Sequence, residues 1–203
     1  MTKIRTICVL GATGFVGAYL LDYLGQAGYR LRVAARRPER HRNLQVLPTV
    51  DMVEADVLDP AALPAVLRGC DAVINLVGIL NESRRATFKA VHVDLPRRIV
   101  TACGEAGITR YLHMSALHAD AAAGPSRYLR SKGEGEDAAH AGTAQGLQVT
   151  SFRPSVIFGP NDHFFTRFAG VLRWSPLIVP LACPDTPYAP VFVEDVARVM
   201  TAA

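Results

Sequence analysis

The chain lacks the features that would take it out of the ordinary globular class. No apolar stretch reaches membrane-spanning length, and Met1-Thr2-Lys3-Ile4-Arg5 runs straight into a strand without the apolar core of a signal peptide. A cytoplasmic setting is the expectation. Cys8, Cys70, Cys103 and Cys183 lie far apart, with no Cys-x-x-Cys pair and no histidine at ligand spacing, so no metal is expected and the four read as buried, reduced thiols. There is no linker, low-complexity run or internal repeat, because 16 Gly and 13 Pro are scattered at element junctions. A basic face interleaved with aromatics is missing too, so the formal charge of +4 does not predict a nucleic-acid partner. The basic residues are spread thinly apart from Arg36, Arg37, Arg40 and Arg42, a cluster just after a strand that suits a phosphate better than a duplex.

What is present is a chain of 203 residues, 50% hydrophobic and 20% charged, enough for a single globular domain with its own core. Lys3 to Leu10 is β-rich and apolar, and a Gly-rich turn separates it from apolar residues at helical spacing, Phe15, Leu20, Leu21 and Leu24. Further strands are predicted at Leu31–Ala35, around Met52 and Val53, at Ala72–Val77, at Arg110–Met114 and at Gln148–Phe152. Helices alternate with them at Pro60–Leu67, at Phe88–Glu105, where Pro96 is either a kink or the true start, and at about Tyr128–His140. Such alternation implies an α/β fold, a doubly wound parallel sheet of Rossmann type covered on both faces.

Residues 1–154 form the nucleotide-binding domain in this reading, and 155–203 the start of a small substrate-side cap with a return strand and helix. From Ser155 the pattern dissolves into Pro-rich loops around Phe164 to Leu172, and the segment from Pro190 reads as a short strand entering a helix. The chain stops inside that helix without a Gly or Asn cap, so it is expected to be a fragment of a longer protein.

Gly11-Ala12-Thr13-Gly14-Phe15-Val16-Gly17 follows a strand and opens a helix, the context that a dinucleotide-binding turn requires. Gly11 permits the tight turn, Gly14 lets backbone approach a pyrophosphate, and Gly17 allows close helix-to-strand packing. The helix N-terminus adds N–H donors and partial positive charge. The bland alternative is a flexible strand-to-helix turn. Tyr128 and Lys132 stand at i and i+4 on one helix face, about thirteen residues after Ser115 at a strand end.

The Gly-x-x-Gly-x-x-Gly spacing, with Thr13 inside it, resembles the extended and atypical short-chain dehydrogenase/reductases, the group with NAD-dependent epimerase/dehydratase-like members. That resemblance implies an acid after the second strand when NAD is the cofactor. This strand ends Ala34-Ala35-Arg36-Arg37 instead, so Arg36, with Arg37, can clamp a 2′-phosphate, unless both are merely solvated. NADP(H) is therefore the preferred cofactor, with NAD(H) the alternative. By resemblance Asp56 contacts the adenine ring and Val57 flanks it, although Asp56 also reads as a capping residue. Asn75, Val77 and Gly78 lie against the cofactor. Ser115, Tyr128 and Lys132 match the superfamily's catalytic set. Tyr128 exchanges a proton with the substrate oxygen, Ser115 orients that oxygen, and Lys132 holds the nicotinamide ribose and lowers the phenol toward neutrality.

A narrower branch is matched by His113-Met-Ser-Ala-Leu117, Tyr128 to Glu136, Phe152 to Pro160, Asp162-His-Phe-Phe165 and Pro190 to Val196. These resemble the NADPH-binding accessory subunit of respiratory complex I and its bacterial relatives. In that branch Pro154 and Ser155 sit near the cofactor amide, the alternative being a rigid strand exit and a turn. His113, His118 and His163, without a carboxylate or second His at ligand spacing, read as packed or surface residues. The resemblance implies either an NADP(H)-dependent oxidoreductase or epimerase acting on a small molecule, or a non-catalytic nucleotide-binding subunit or assembly factor, peripheral at the inner membrane and without a transmembrane segment. A sensor of the NADP(H) ratio is a third class, one that normally lacks the catalytic pair.

Overall fold

Apolar strands alternating with amphipathic helices build a parallel six-stranded sheet, and a computed structural model describes residues 4–162, 170, 173 and 188–203 of it. The strands are β1 (Thr6–Leu10), β2 (Arg30–Ala35), β3 (Val50–Glu54), β4 (Ala72–Asn75), β5 (Arg110–Met114) and β6 (Gln148–Phe152), ordered β3-β2-β1-β4-β5-β6. This is the doubly wound order whose switch point, between β1 and β4, opens a crevice at the strands' carboxyl ends. A separate pair, β7 (Ile157–Phe158) and β8 (Val191–Phe192), is also parallel.

The helices are α1 (Phe15–Gln26), α2 (Arg42–Gln45), α3 (Ala62–Leu67), α4 (Leu95–Ala106), α5 (Arg127–His140) and α6 (Val193–Ala202) among the described residues. Strand periodicity sorts the core into two layers. Cys8, Leu10 and Val73 pack with Leu63, Leu67, Ile99 and Cys103 of α3 and α4. Ile7, Val9 and Ile74 pack on the other face with Leu20, Leu21 and Leu24 of α1 and Val196, Ala197 and Met200 of α6. Cys8, Cys70 and Cys103 are buried free thiols. Lys3, His163, Cys183 and, apart from Gly170, the loop from Phe164 to Leu172 lie outside the described residues, Phe164 and Phe165 among them.

Two expected elements differ. The fourth strand stops at Asn75 rather than Val77, because the Asn75 carboxamide accepts the Val77 N–H at 3.0 Å and turns the chain out of the sheet. The helix expected from Phe88 to Glu105 is divided. Lys89–Asp94 forms a π-helical turn, in which the Leu95 N–H donates to the Ala90 carbonyl five residues back, and α4 starts at Leu95 with Pro96 in its first turn. Pro96 has no N–H to offer the His92 carbonyl, so regular α register is lost at that point.

Candidate functional site

The glycine turn is built as a cradle. Gly11 has φ +79°, and a Cβ there would stand 2.9 Å from the Val77 nitrogen. Gly17 sits so close to Ala12 that any Cβ would collide with the Ala12 backbone. Gly14 is different: it is the N-cap of α1, its N–H donates to the Gly11 carbonyl at 3.1 Å, and a Cβ would meet only that oxygen, at 3.3 Å. The first turn of α1 carries no acidic residue, so nothing offsets its positive end.

Gly11, Thr13, Gly14, Arg36, Asp56, Val57, Val77 and Gly78 together line a cavity of about 310 Å³. It shares Thr13, Arg36 and Asp56 with a larger cavity of about 1480 Å³ that also reaches Arg37, Arg40 and His41. Asp56 is exposed and its carboxylate accepts the Leu58 N–H at 3.0 Å, a local turn contact that still leaves the residue on the cavity wall. Asn75 is a buried support beneath the wall. It receives the Val77 N–H and donates to the Tyr111 hydroxyl at 3.3 Å. That leaves the Tyr111 O–H to donate to His113 Nδ1 at 3.1 Å. Burial pushes the Tyr111 phenol up and the His113 imidazole down to about 3, so both are neutral near pH 7.

At the other end, α5 is capped by Ser126, whose hydroxyl accepts the Leu129 N–H at 3.1 Å. Gly133 and Gly135 let the helix seat against the 120–121 backbone and the His92 carbonyl respectively, where a Cβ would collide. This seating carries Lys132 into the interior, 4% exposed, with Nζ donating to the Met114 carbonyl. Burial lowers the Lys132 ammonium to about 8, against a smaller raising effect of Glu136. Lys132 Nζ lies 4.0 Å, and His92 Nε2 3.8 Å, from where a Cβ on Gly78 would be, so both stand behind Gly78, which lines the smaller cavity, without lining it themselves.

Tyr128 is half-buried, and its phenol is raised by burial rather than lowered as the sequence reading expects. Ser115 follows β5, with its N–H on the Phe152 carbonyl at 2.7 Å and its buried hydroxyl without a hydrogen-bond partner among the described residues. His113 Nε2 is likewise buried and unpartnered.

His92, on the π-helical turn, is the residue that sequence reasoning missed. Its Nε2 accepts the Ile79 N–H at 3.0 Å, so Nδ1 carries the proton and meets Ser131 Oγ at 2.8 Å. The Ser131 hydroxyl in turn donates to the Tyr128 carbonyl at 2.7 Å. The ring stacks on Phe88 at 5.3 Å and meets Tyr128 edge-on at 5.5 Å. Burial, with Lys132 nearby, depresses His92 to about 4. A lone His in a helical stretch carries no spacing signal; Pro96, four residues on, was the available hint.

Nine expected residues do not line either cavity: Gly17, Asn75, Ser115, Tyr128 and Lys132, placed above, and Phe15, Val16, Pro154 and Ser155. Val16 packs toward the sheet core, and Phe15 meets Tyr19 edge-on at 5.8 Å. Ser155 is half-buried, and Pro154 gives its carbonyl to the Leu117 N–H at 2.8 Å. The neighbouring Arg153 Nε binds the Glu136 carboxylate of α5 at 2.9 Å. Among the described residues no His, Cys, Asp or Glu cluster could hold a metal, and no helix is long and apolar enough to cross a membrane.

A glycine cradle, an open wall and an α1 N-terminus free of acids fit a dinucleotide, and comparison with known proteins agrees. The chain is 35% identical over 196 residues to the mitochondrial NADH dehydrogenase (ubiquinone) 1 alpha subcomplex subunit 9 of Mus musculus, covering 94% of this chain and 50% of that protein. It is 33% identical over 201 residues to a ceramide reductase of Caulobacter vibrioides, covering 97% of this chain and 60% of that one. The chain thus spans about half the length of these curated relatives. A UDP-glucuronic acid 4-epimerase of Bacillus cereus, solved with UDP-glucuronic acid and NAD, shares the fold with TM-score 0.82 at 17% identity, covering 98% of this chain and 72% of that one. Residues 7–203 match the NAD dependent epimerase/dehydratase family, and the chain belongs to that family.

Proposed function

We propose that this chain binds NADP(H) through the Gly11–Gly17 turn, with Arg36 and Arg37 on the 2′-phosphate, and serves a hydride-transfer reaction of the oxidoreductase or epimerase/dehydratase type. The observation that carries the reading is the Lys132 ammonium, buried behind Gly78, a residue that lines the glycine-turn cavity, and on the same helix as Tyr128. Bound there, the nicotinamide supplies or accepts the hydride. Tyr128 gives or takes the proton of the substrate oxygen, and Lys132 holds the ribose. The unpartnered Ser115 hydroxyl is free to orient that oxygen. Because burial keeps Tyr128 protonated near neutrality, the chain's own residues favour proton donation, the direction of substrate reduction.

Tyr128→Phe tests this. NADPH affinity is expected to stay within a few fold, while NADPH oxidation with aldehydes, ketones or quinones falls by about a hundredfold or more, the scale of losing a general acid. Unchanged turnover in the Phe variant would remove Tyr128 from the reaction.

A second reading is favoured by the 35% identity to a respiratory-chain subunit. Here the protein is a non-catalytic NADPH-binding accessory subunit or assembly factor, peripheral to a membrane complex. Co-purification with such a complex, together with tight NADPH binding and no hydride transfer to any acceptor, would select it over the enzyme.

A further inference from the structure

The larger cavity holds a charge pattern that Arg36 and Arg37 alone do not account for. Five arginines line it, from two separate segments of the chain: Arg36, Arg37 and Arg40 follow β2, and Arg84 and Arg85 belong to the chain between β4 and the π-helical turn. None of the five has a side-chain hydrogen bond or ion pair among the described residues, although Glu54, Asp56 and Asp59 line the same space. Asp56 and Asp59 give carboxylate oxygens to the backbone N–H groups of Leu58 and Ala61 instead. Five guanidinium groups against three carboxylates on one concave space, two of the three held in local turn contacts, leave a net positive field for an incoming anion.

The second segment is held in shape. Ser83 and Ala86 exchange backbone hydrogen bonds at 2.9 and 3.3 Å, so Arg84 and Arg85 stand at the tip of a two-residue turn. Ser83 Oγ also accepts the Ala86 N–H at 3.2 Å. The base of the turn is fixed by Glu82, which accepts the Phe88 N–H at 2.8 Å and pairs with Arg127 of α5 at 3.2 Å. Ala86 lines both cavities, which places the turn beside the glycine-turn cavity as well. Guanidinium groups pair with phosphate oxygens in a bidentate fork, and two opposed forks can enclose a phosphomonoester dianion that one wall would only touch.

We infer that Arg84 and Arg85 form the second jaw of a clamp that closes on the 2′-phosphate of NADP(H) from the side opposite Arg36 and Arg37. The inference rests on the cofactor reading given above and assigns the turn as a specificity-determining element of it. Arg84 and Arg85 act on the 2′-phosphate alone, so they distinguish NADPH from NADH and leave the pyrophosphate to the glycine turn.

The test is fluorescence titration of NADPH and NADH into the whole protein at low and moderate salt, for the parent, Arg36→Ala, the double variant Arg84→Ala/Arg85→Ala, and Arg97→Ala. Arg97 is an exposed arginine on α4, outside both cavities, and controls for net charge. All four positions changed are exposed, and thermal melts verify folding. The double variant is expected to weaken NADPH at least tenfold, the scale of one charge-assisted hydrogen bond, while NADH changes less than twofold and the salt dependence of NADPH binding falls. If Arg36→Ala lowers NADPH affinity and the double variant does not, the clamp is one-sided: the inference fails and the cofactor reading stands. Equal loss for both nucleotides would assign the turn to general attraction and overturn the inference. A parent that binds NADH as tightly as NADPH removes the cofactor preference and the second jaw together.

Discussion

Around the larger cavity, beyond β2 and β4, five arginines stand without side-chain partners among the described residues, whereas at the α5 side a lysine and a histidine are buried and fixed by hydrogen bonds to the chain. The first side leaves its charge for a ligand to neutralise. The second bears the cost of desolvation in advance: burial has already depressed Lys132 to about 8 and His92 to about 4, so these groups are set in protonation and position before anything binds. An exposed site of charge recognises, and a dry, pre-arranged one supports chemistry. The glycine turn joins the two, and its three glycines divide the same way. Gly11 and Gly17 are held against neighbouring backbone, and Gly14 faces the cavity.

The largest expected effects come from separating those glycines. Gly17→Ala should cost about 3 kcal/mol or more, since the methyl group meets the Ala12 backbone, which cannot retreat without distorting the turn. Denaturant unfolding measures it. Gly14→Val should keep the melting temperature nearly unchanged and abolish binding of either nucleotide, because its side chain enters the cavity instead of the core. If Gly14→Val unfolds the protein, or binds NADPH like the parent, the division between packing and ligand glycines is wrong.

How far the sequence disclosed this arrangement follows the same division. The strand limits at Arg110–Met114 and Gln148–Phe152 were readable because apolar runs and turn residues are local signals. The glycine turn was readable because its spacing and its strand-to-helix context lie within one segment. Gathering eight of the expected residues on one cavity wall follows from the doubly wound order, which brings successive strand ends together. His92 and the Arg84–Arg85 turn were not visible. Each acquires its meaning from a partner distant in sequence: His92 from the seating of α5 through Gly135, and the turn from the arginines beyond β2. The direction of the Tyr128 shift was missed for a related reason. The sequence shows that a lysine shares its helix face and does not show how much water the fold removes from the phenol.

A smaller effect tests whether the α5 side carries a stored cost. Lys132→Met removes a buried ammonium whose hydrogen-bond partner is the Met114 carbonyl, and should stabilise the protein by about 1–3 kcal/mol at pH 7 while ending hydride transfer. The sign with pH follows from the depressed value. Between about 8 and the ordinary 10.5 the unfolded chain binds more protons than the folded one, so the parent gains stability as pH rises and the advantage of the Met variant shrinks. Urea unfolding at pH 7 and pH 10 checks it. A Met variant that is less stable than the parent at pH 7 would mean that the lysine contributes to stability and is not a cost borne for function.

The smallest effect concerns His92, where the α5 side meets the chain after β4. His92 is neutral in the fold, with a value of about 4 against an ordinary 6.5, so the unfolded chain takes up the proton first as pH falls. Its contribution to stability is complete above about 6.5 and is lost progressively down to about 4. His92→Gln keeps a carbonyl oxygen able to accept the Ile79 N–H and has no proton to take up in this range. The variant is therefore expected to lose some stability at pH 7, through the broken contact with Ser131, and to show a shallower fall in stability between pH 6.5 and 4. The difference in slope should approach about 1.4 kcal/mol per pH unit, the share of one proton, with the slope that remains due in part to His113 at about 3. Stability measured by urea unfolding at several pH values across that window gives both slopes. A parent and variant with the same slope would show that His92 already titrates alike in the folded and unfolded chain. The contrast between an exposed, receptive β2 side and a buried, pre-set α5 side would then rest on Lys132 alone.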